Sequence, residues 1–208
     1  ADANPGIKTP ADALARPDLF PAPDDDSLGA VHNCPAGWNC QITNSNLFAA
    51  YGGADKGFKL VDTGSSAGLD GSIAKAYVRG EGWLGYYWSP TALLGRYEMV
   101  KLDMGPHDKE HWATCTAVSG CDSPQVNGWT KSEVFSVVTD DFAKKAGVAM
   151  AYISTRTWKN EVVNKLLAWM AVNQATGEEA AAYFLENYED VWGAWVSLVA
   201  MAKVRAAL

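Results

Sequence analysis

The sequence predicts an α/β fold, and two observations carry that prediction. Short apolar runs at residues 29–32, 58–61, 83–88 and 97–102 read as strands, while residues 41–51 and 65–77 carry helical apolar spacing. The two kinds of segment also alternate along the chain, which is the pattern of a mostly parallel sheet covered by helices. Such sheets bind ligands in crevices at the carboxyl ends of their strands.

The elements follow in order. Thr9-Pro10-Ala11-Asp12 is a helix start, with Thr as cap, Pro in the first turn and Asp three residues after the cap. Pro17 and residues 21–26 are expected to end that helix in a solvated linker. Gly29-Ala30-Val31-His32 reads as a short strand entering a loop at Cys34. The helix from Gln41 carries Ile42, Leu47, Phe48 and Tyr51 and stops at Gly52-Gly53. Phe58-Lys59-Leu60-Val61 is a strand, and Ser65 opens a helix containing Leu69, Ile73 and Ala76. Residues 83–88 form a continuous apolar strand and residues 97–102 another. From 105 to 131 the pattern lapses into a loop.

Residues 133–139 alternate as a strand, and Thr139-Asp140 caps the next helix. The last third is helical, with Val162, Val163, Leu166, Leu167 and Met170 on one stripe and a capping box from Thr176 to Glu179. Tyr183, Phe184, Tyr188, Trp192 and Trp195 are expected to pack as core there, not as a ligand cage. A compositional shift at 132–139 divides the chain into residues 1–131 and 132–208.

Composition narrows the function. A chain of 208 residues that is 48% hydrophobic folds around a real core, and a net charge of −7 disfavours nucleic acid and anionic membrane surfaces. The longest apolar run, at 192–204, is broken by Gly193, Ser197 and Lys203, so no direct membrane insertion is expected. The cysteines fall in two pairs of identical spacing, Cys34/Cys40 and Cys115/Cys121. That favours two local disulfides in a periplasmic or secreted protein over four reduced thiols in a cytosolic one. No signal peptide is visible, and Ala1-Asp2-Ala3-Asn4-Pro5-Gly6 reads as an internal loop.

Two tryptophans stand apart. Trp38 sits between Gly37 and Asn39 inside the first cysteine loop, where no periodic apolar face asks for it. Trp88 ends the strand Gly85-Tyr86-Tyr87-Trp88, where an α/β sheet presents groups to its crevice. A trimethylammonium group has no N–H donor and spreads its charge over methyls, so aromatic faces hold it better than a carboxylate does. The helix beginning behind the loop offers the N–H groups of Asn39, Cys40 and Gln41 to an anion. Ring and helix head together suit a small zwitterion with an onium group at one end and a carboxylate at the other.

Cys34 to Cys40, read C-P-A-G-W-N-C, resembles the C-x-P-G-W-G-C loop of periplasmic glycine betaine-binding proteins that feed ABC importers. Gly80-Glu81-Gly82-Trp83-Leu84-Gly85-Tyr86-Tyr87-Trp88-Ser89-Pro90-Thr91 is similar to that family's G-x-P-W-x-x-Y-x-W-[ST]-P-x strand, and residues 101–102, 129–138 and 187–192 continue in register. The resemblance implies a periplasmic-binding-protein type II fold, a two-lobed venus flytrap. Here it would comprise one complete α/β lobe plus a helical C-terminal part of the other. By motif match, Trp38 and Trp88 are two walls of a tryptophan box and the N–H groups of Asn39 and Cys40 receive the carboxylate, with Gly37 and Tyr87 in the same set. Asn39 stands where relatives often carry glycine, which leaves a backbone contact intact and changes the lining. The resemblance also implies a further N-terminal segment supplying another aromatic. No substitute for it is legible in these residues, so half a site is expected, with a dimer through the exposed face.

The implied partners are a small quaternary ammonium ligand and the membrane subunits of an ABC importer, with no cofactor and no enzymatic activity. Glycine betaine, choline, carnitine, proline betaine and dimethylsulfoniopropionate all share the onium group, and the helix head favours those with a carboxylate. Two rivals are weighed against this. His107-Asp108-Lys109-Glu110-His111 matches the H-x-x-E-H pattern of inverted zinc proteases, with two imidazoles as ligands and Glu110 as base. Its context is poor, since Gly105-Pro106 precede it and no long apolar helix carries it. The other rival is a protein-interaction module with no small ligand. A response of Trp fluorescence to glycine betaine or choline marks the binding protein, stoichiometric zinc at His107 and His111 the hydrolase, and a tight partner in pull-downs with no ligand effect the interaction module.

Overall fold

A computed structural model describes residues 6–208. The N-terminal residues read as an internal loop lie outside the described residues, apart from Gly6. Two compact units are present. One comprises the residues up to Trp88 together with Tyr97–Lys131, and the other Ser89–Arg96 with Ser132–Leu208. Residues 89–96, which the sequence reading placed with the first stretch, therefore pack with the second.

The first unit is built on a three-stranded sheet in the order β1-β2-β3. β1 (Pro21–Ala22) runs antiparallel to β2 (Asp25–His32), and β2 runs parallel to β3 (Phe58–Val61). Residues 21–26, expected as a linker, thus form a hairpin: Pro21 pairs with Gly29 and Ala22 with Asp25. Proline is tolerated in β1 because that strand lies at the sheet edge. Ahead of the sheet, α1 (Pro10–Leu14) begins as its sequence dictates, with Thr9 and Asp12 closing a reciprocal capping box. Between β2 and β3 the chain crosses over through α2 (Asn39–Ala50), and after β3 comes α3 (Ser66–Arg79). Ser65 caps α3 through its Oγ, 3.0 Å from the Gly68 N–H, and Gly80 ends it at φ 68°, a left-handed position that glycine takes without strain. Ala13, Leu14, Phe20 and Phe58 form the buried core, while Leu69 and Ile73 of α3 are sealed beneath their helix.

Residues 83–88 are not a full strand. One parallel bridge joins Gly85 to His32, with the His32 N–H donating to Leu84 at 2.8 Å and the Tyr86 N–H to the His32 carbonyl at 3.0 Å. Residues 97–102 and 133–139, both expected as strands, are irregular. An alternating pattern becomes a strand only where a neighbour offers a ladder, and neither segment has one among the described residues. Val134, Phe135 and Val137 are accordingly exposed. The cysteine-bearing stretch holds a short helix α5 (Lys109–His111) and one wide turn at Trp112–Thr116.

In the second unit α4 (Ala92–Arg96) packs on α8 (Asn160–Asn173). Contact is close because Gly95 has no Cβ: one built there would lie 2.1 Å from the Asn164 carbonyl oxygen. α6 (Asp140–Lys145) starts at Thr139, whose hydroxyl accepts the Phe142 N–H, and α7 (Val148–Thr155) follows. The Thr176–Glu179 capping box opens α9 (Gly177–Asn187) as its sequence predicts. α10 (Glu189–Trp192) and α11 (Leu198–Ala207) complete the unit. Phe184, Trp192 and Trp195 form its core, bearing out their reading as packing residues. No helix among the described residues is long and apolar enough to cross a membrane.

Candidate ligand-binding site

Both cysteine pairs are closed, Cys34 to Cys40 and Cys115 to Cys121. The first bridge ties the loop after β2 into the first turn of α2, since Cys40 is the second residue of that helix. Trp38 occupies the cap position with extended backbone, φ −89° and ψ 141°, and contributes no side-chain cap. The head of α2 therefore keeps unspent donors: the N–H groups of Asn39 and Cys40 have no hydrogen-bond partner among the described residues. Gln41 differs from expectation, because its N–H is spent on the Trp38 carbonyl at 3.0 Å. Its side chain accepts the Gly37 N–H at 3.4 Å, which steadies the loop from within. Gly37 itself sits at φ 87°, a conformation that a side chain would strain.

The structure brings Trp38 and Trp88 together. Their ring centroids are 5.3 Å apart at an interplanar angle of 65°, so they form two adjoining walls, not facing plates. Trp38 remains 38% exposed. Tyr87 stacks on Trp88 at 4.6 Å, and its hydroxyl donates to Asp70 at 2.6 Å. Asp70 lies on α3, so this bond fixes the Tyr87 ring from a neighbouring helix. Three further aromatics escaped the sequence reading of the site. Tyr86 lies 6.4 Å from Trp88 and 5.3 Å from Trp129, and Trp129 meets Trp112 edge-on at 5.0 Å. The signal for them was only the crowding of aromatic residues in an aperiodic stretch. Burial pushes the Tyr86 phenol above its ordinary value, so it stays neutral and electron-rich at any physiological pH.

His107 and His111 serve local structure. The carbonyl of Gly128 can only accept, so His107 Nδ1 donates to it at 2.7 Å, while His111 Nε2 accepts the Gln125 N–H at 3.2 Å. No group of three or more His, Cys, Asp or Glu side chains converges to hold a metal ion among the described residues. His32 is buried, stacked on Trp83 at 5.2 Å and bonded through Nδ1 to the Leu84 carbonyl. A cleft of about 250 Å³ opens elsewhere in the unit, lined among others by His32, Ser72, Lys75 and Trp83. Neither Trp38 nor Trp88 lines it.

Residues 1–187 match the family model described as the substrate-binding domain of ABC-type glycine betaine transport systems. The chain belongs to this family. No curated protein matches it. Among solved structures, lactococcal OpuAC in its closed-liganded conformation with glycine betaine is 15% identical with a TM-score of 0.50, over 94% of this chain and 64% of that one. The glycine/betaine/L-proline-binding protein ProX from Borrelia burgdorferi is 17% identical with a TM-score of 0.49, over 97% and 66% of the two chains. A choline-binding protein of an ABC transporter in complex with choline is 16% identical with a TM-score of 0.48, over 99% and 65%. The chain thus spans just under two thirds of each structure. The likeness to OpuAC establishes the mixed α/β fold of a periplasmic binding protein, as the sequence predicts.

Proposed function

We propose that this substrate-binding domain captures glycine betaine, or a closely related carboxylated onium compound, for delivery to the membrane subunits of an ABC importer outside the cytoplasm. The observation that carries this reading is the junction at residue 38. The exposed Trp38 ring, set 5.3 Å from Trp88, adjoins a helix head whose Asn39 and Cys40 N–H groups have no partner. An onium group has nothing to donate, so it is held by ring faces, each contributing about 0.5–2 kcal/mol once water is excluded. A carboxylate a few ångströms away accepts the two main-chain N–H groups and gains from the positive end of the helix. Because the two tryptophans adjoin, the methyl groups lie in the angle between them and not sandwiched. Membership of the family and the glycine betaine bound by lactococcal OpuAC support this ligand class. Two closed disulfides support an oxidising compartment.

The test is a titration of the chain with glycine betaine, choline, carnitine, proline betaine and dimethylsulfoniopropionate, read by intrinsic Trp fluorescence and thermal shift. Carboxylated compounds are expected to bind more tightly than choline. Saturation at a hundredfold excess over Kd adds about 2.7 kcal/mol to the stability of the folded state. Trp38→Ala and Trp88→Ala should each weaken binding by about 2- to 30-fold, the loss of one ring face. A chain that responds to no quaternary ammonium compound refutes the reading.

A further inference from the structure

Trp38 and Trp88 account for the proposed cation wall, but Trp112 and Trp129 have no part in it. These two lie on a platform that is unusually well tied. Asn127, 1% exposed, accepts the Asp108 N–H at 2.8 Å and donates to the Asp108 carbonyl and the Thr116 hydroxyl at 3.0 and 3.1 Å. His107 is bonded to Gly128, and a Cβ on Gly128 would fall 2.4 Å from the Gly105 carbonyl oxygen, so the two backbones touch. The Cys115–Cys121 bridge closes the loop, and Asn46 of α2 donates through Nδ2 to the carbonyls of Cys115, Thr116 and Val118 at 3.1, 3.1 and 2.9 Å. The platform is thereby fastened to the same helix whose head forms the anion end of the candidate site.

The segment bearing Trp88 is fastened differently. Its ladder to β2 consists of the bonds at Leu84 and Tyr86 and stops there. Beyond Tyr86 the Trp88 ring meets three others, Trp38, Tyr87 and Tyr86. Of these, the Tyr86 ring is set between Trp88 and Trp129.

We propose that Trp129 is a positioning residue for the cation wall, holding the Tyr86 ring against Trp88 and so fixing the pitch of Trp88 toward Trp38. The inference rests on the reading of Trp38 and Trp88 given above. A site of two adjoining walls is sensitive to their angle, and ring faces displaced by a fraction of an ångström lose contact. Trp129 itself need touch no ligand.

The experiment measures glycine betaine affinity for Trp129→Ala, Trp129→Leu and Trp129→Phe in the intact chain. Loss of one aromatic pair predicts about 3- to 10-fold weaker binding for Ala and for Leu, which fills space without a ring, and near wild-type binding for Phe. In a Trp88→Ala background the Trp129 variants should cost nothing more, since the ring they position is gone. Wild-type affinity in both the Ala and the Leu variant, or losses that multiply in the double variants, overturns the proposal.

A second measurement needs no ligand. The near-ultraviolet circular dichroism contributed by Trp88, taken as wild type minus Trp88→Phe, is expected to change when recorded in a Trp129→Leu background. An unchanged difference spectrum overturns the positioning role, whatever the binding data show. If the wild-type chain binds no onium compound while the difference spectrum does change, the ligand reading falls and the ring coupling stands.

Discussion

Gly85→Ala tests how the segment bearing Trp88 is mounted. A Cβ on Gly85 would lie 2.5 Å from the His32 carbonyl oxygen, 2.8 Å from His32 Cβ and 2.8 Å from the Trp83 ring. Carbon and carbonyl oxygen ordinarily approach to about 3.3 Å, so the segment has to retreat from β2 by roughly 0.8 Å. The two bonds that seat it, at 2.8 and 3.0 Å, would then stretch toward 3.7 Å and cease to be hydrogen bonds. Two such losses at about 0.5–1.5 kcal/mol each, with about 1–3 kcal/mol for overpacking, give a destabilisation of roughly 2–6 kcal/mol. For a chain of this length that lowers Tm by roughly 4–24 °C. Thermal and urea unfolding followed by far-ultraviolet circular dichroism measure it directly. Trp88 moves with the segment, so acrylamide quenching of Trp fluorescence should increase in the folded variant. A Tm within about 2 °C of wild type, with unchanged quenching, would refute the claim that this bridge seats the segment.

Three further outcomes follow from the same structure. Burial holds the His32 imidazole below its ordinary value of 6.5, so the folded state resists the proton that the unfolded state accepts. Stability should be complete above about pH 7 and fall as pH drops below 6.5, by up to about 1.4 kcal/mol per unit, a slope that urea midpoints of His32→Phe should lack. Asn127→Ala strips three hydrogen bonds from a fully buried site and leaves the Asp108 N–H unsatisfied, for a cost of about 2–4 kcal/mol by urea unfolding. Gly95→Ala places a methyl 2.1 Å from the Asn164 carbonyl oxygen and should separate α4 from α8, seen as faster proteolytic cutting within residues 89–96.

Helix starts were legible because they are local. Thr9, Ser65, Thr139 and Thr176 each accept an N–H three residues on, so the signal and the structure occupy the same four residues. Phe58 to Val61 was legible as a strand because β2 lies beside it as a parallel partner. Residues 133–139 carry an equally good alternating pattern and form no strand, because the partner a strand needs is a tertiary fact that alternation does not encode. The site divides along the same line. Trp38 and Trp88 stood out as rings with no periodic face to bury them. Trp112 meets Trp129 across 17 residues of chain, Trp129 meets Tyr86 across 43, and the clamp from Asn46 spans 69 to 72, so nothing near those positions announces them.

The head of α2 presents main-chain donors, and main-chain donors do not depend on the side chains that flank them. A receptor holding its anion with arginine loses that grip with one codon change; one using the amides at positions 39 and 40 does not. Cys40 is committed by its bridge to Cys34, but Asn39 is exposed and, among the described residues, bonds a side chain only through its carbonyl, to Thr43. On the proposed function, position 39 is therefore a place where a lineage can vary shape and polarity beside Trp38 while the main-chain donors are inherited unchanged. If the proposed function holds, preference among carboxylated solutes can drift there in single steps, whereas moving to a ligand without an anion would give up a contact that no substitution at that position can restore.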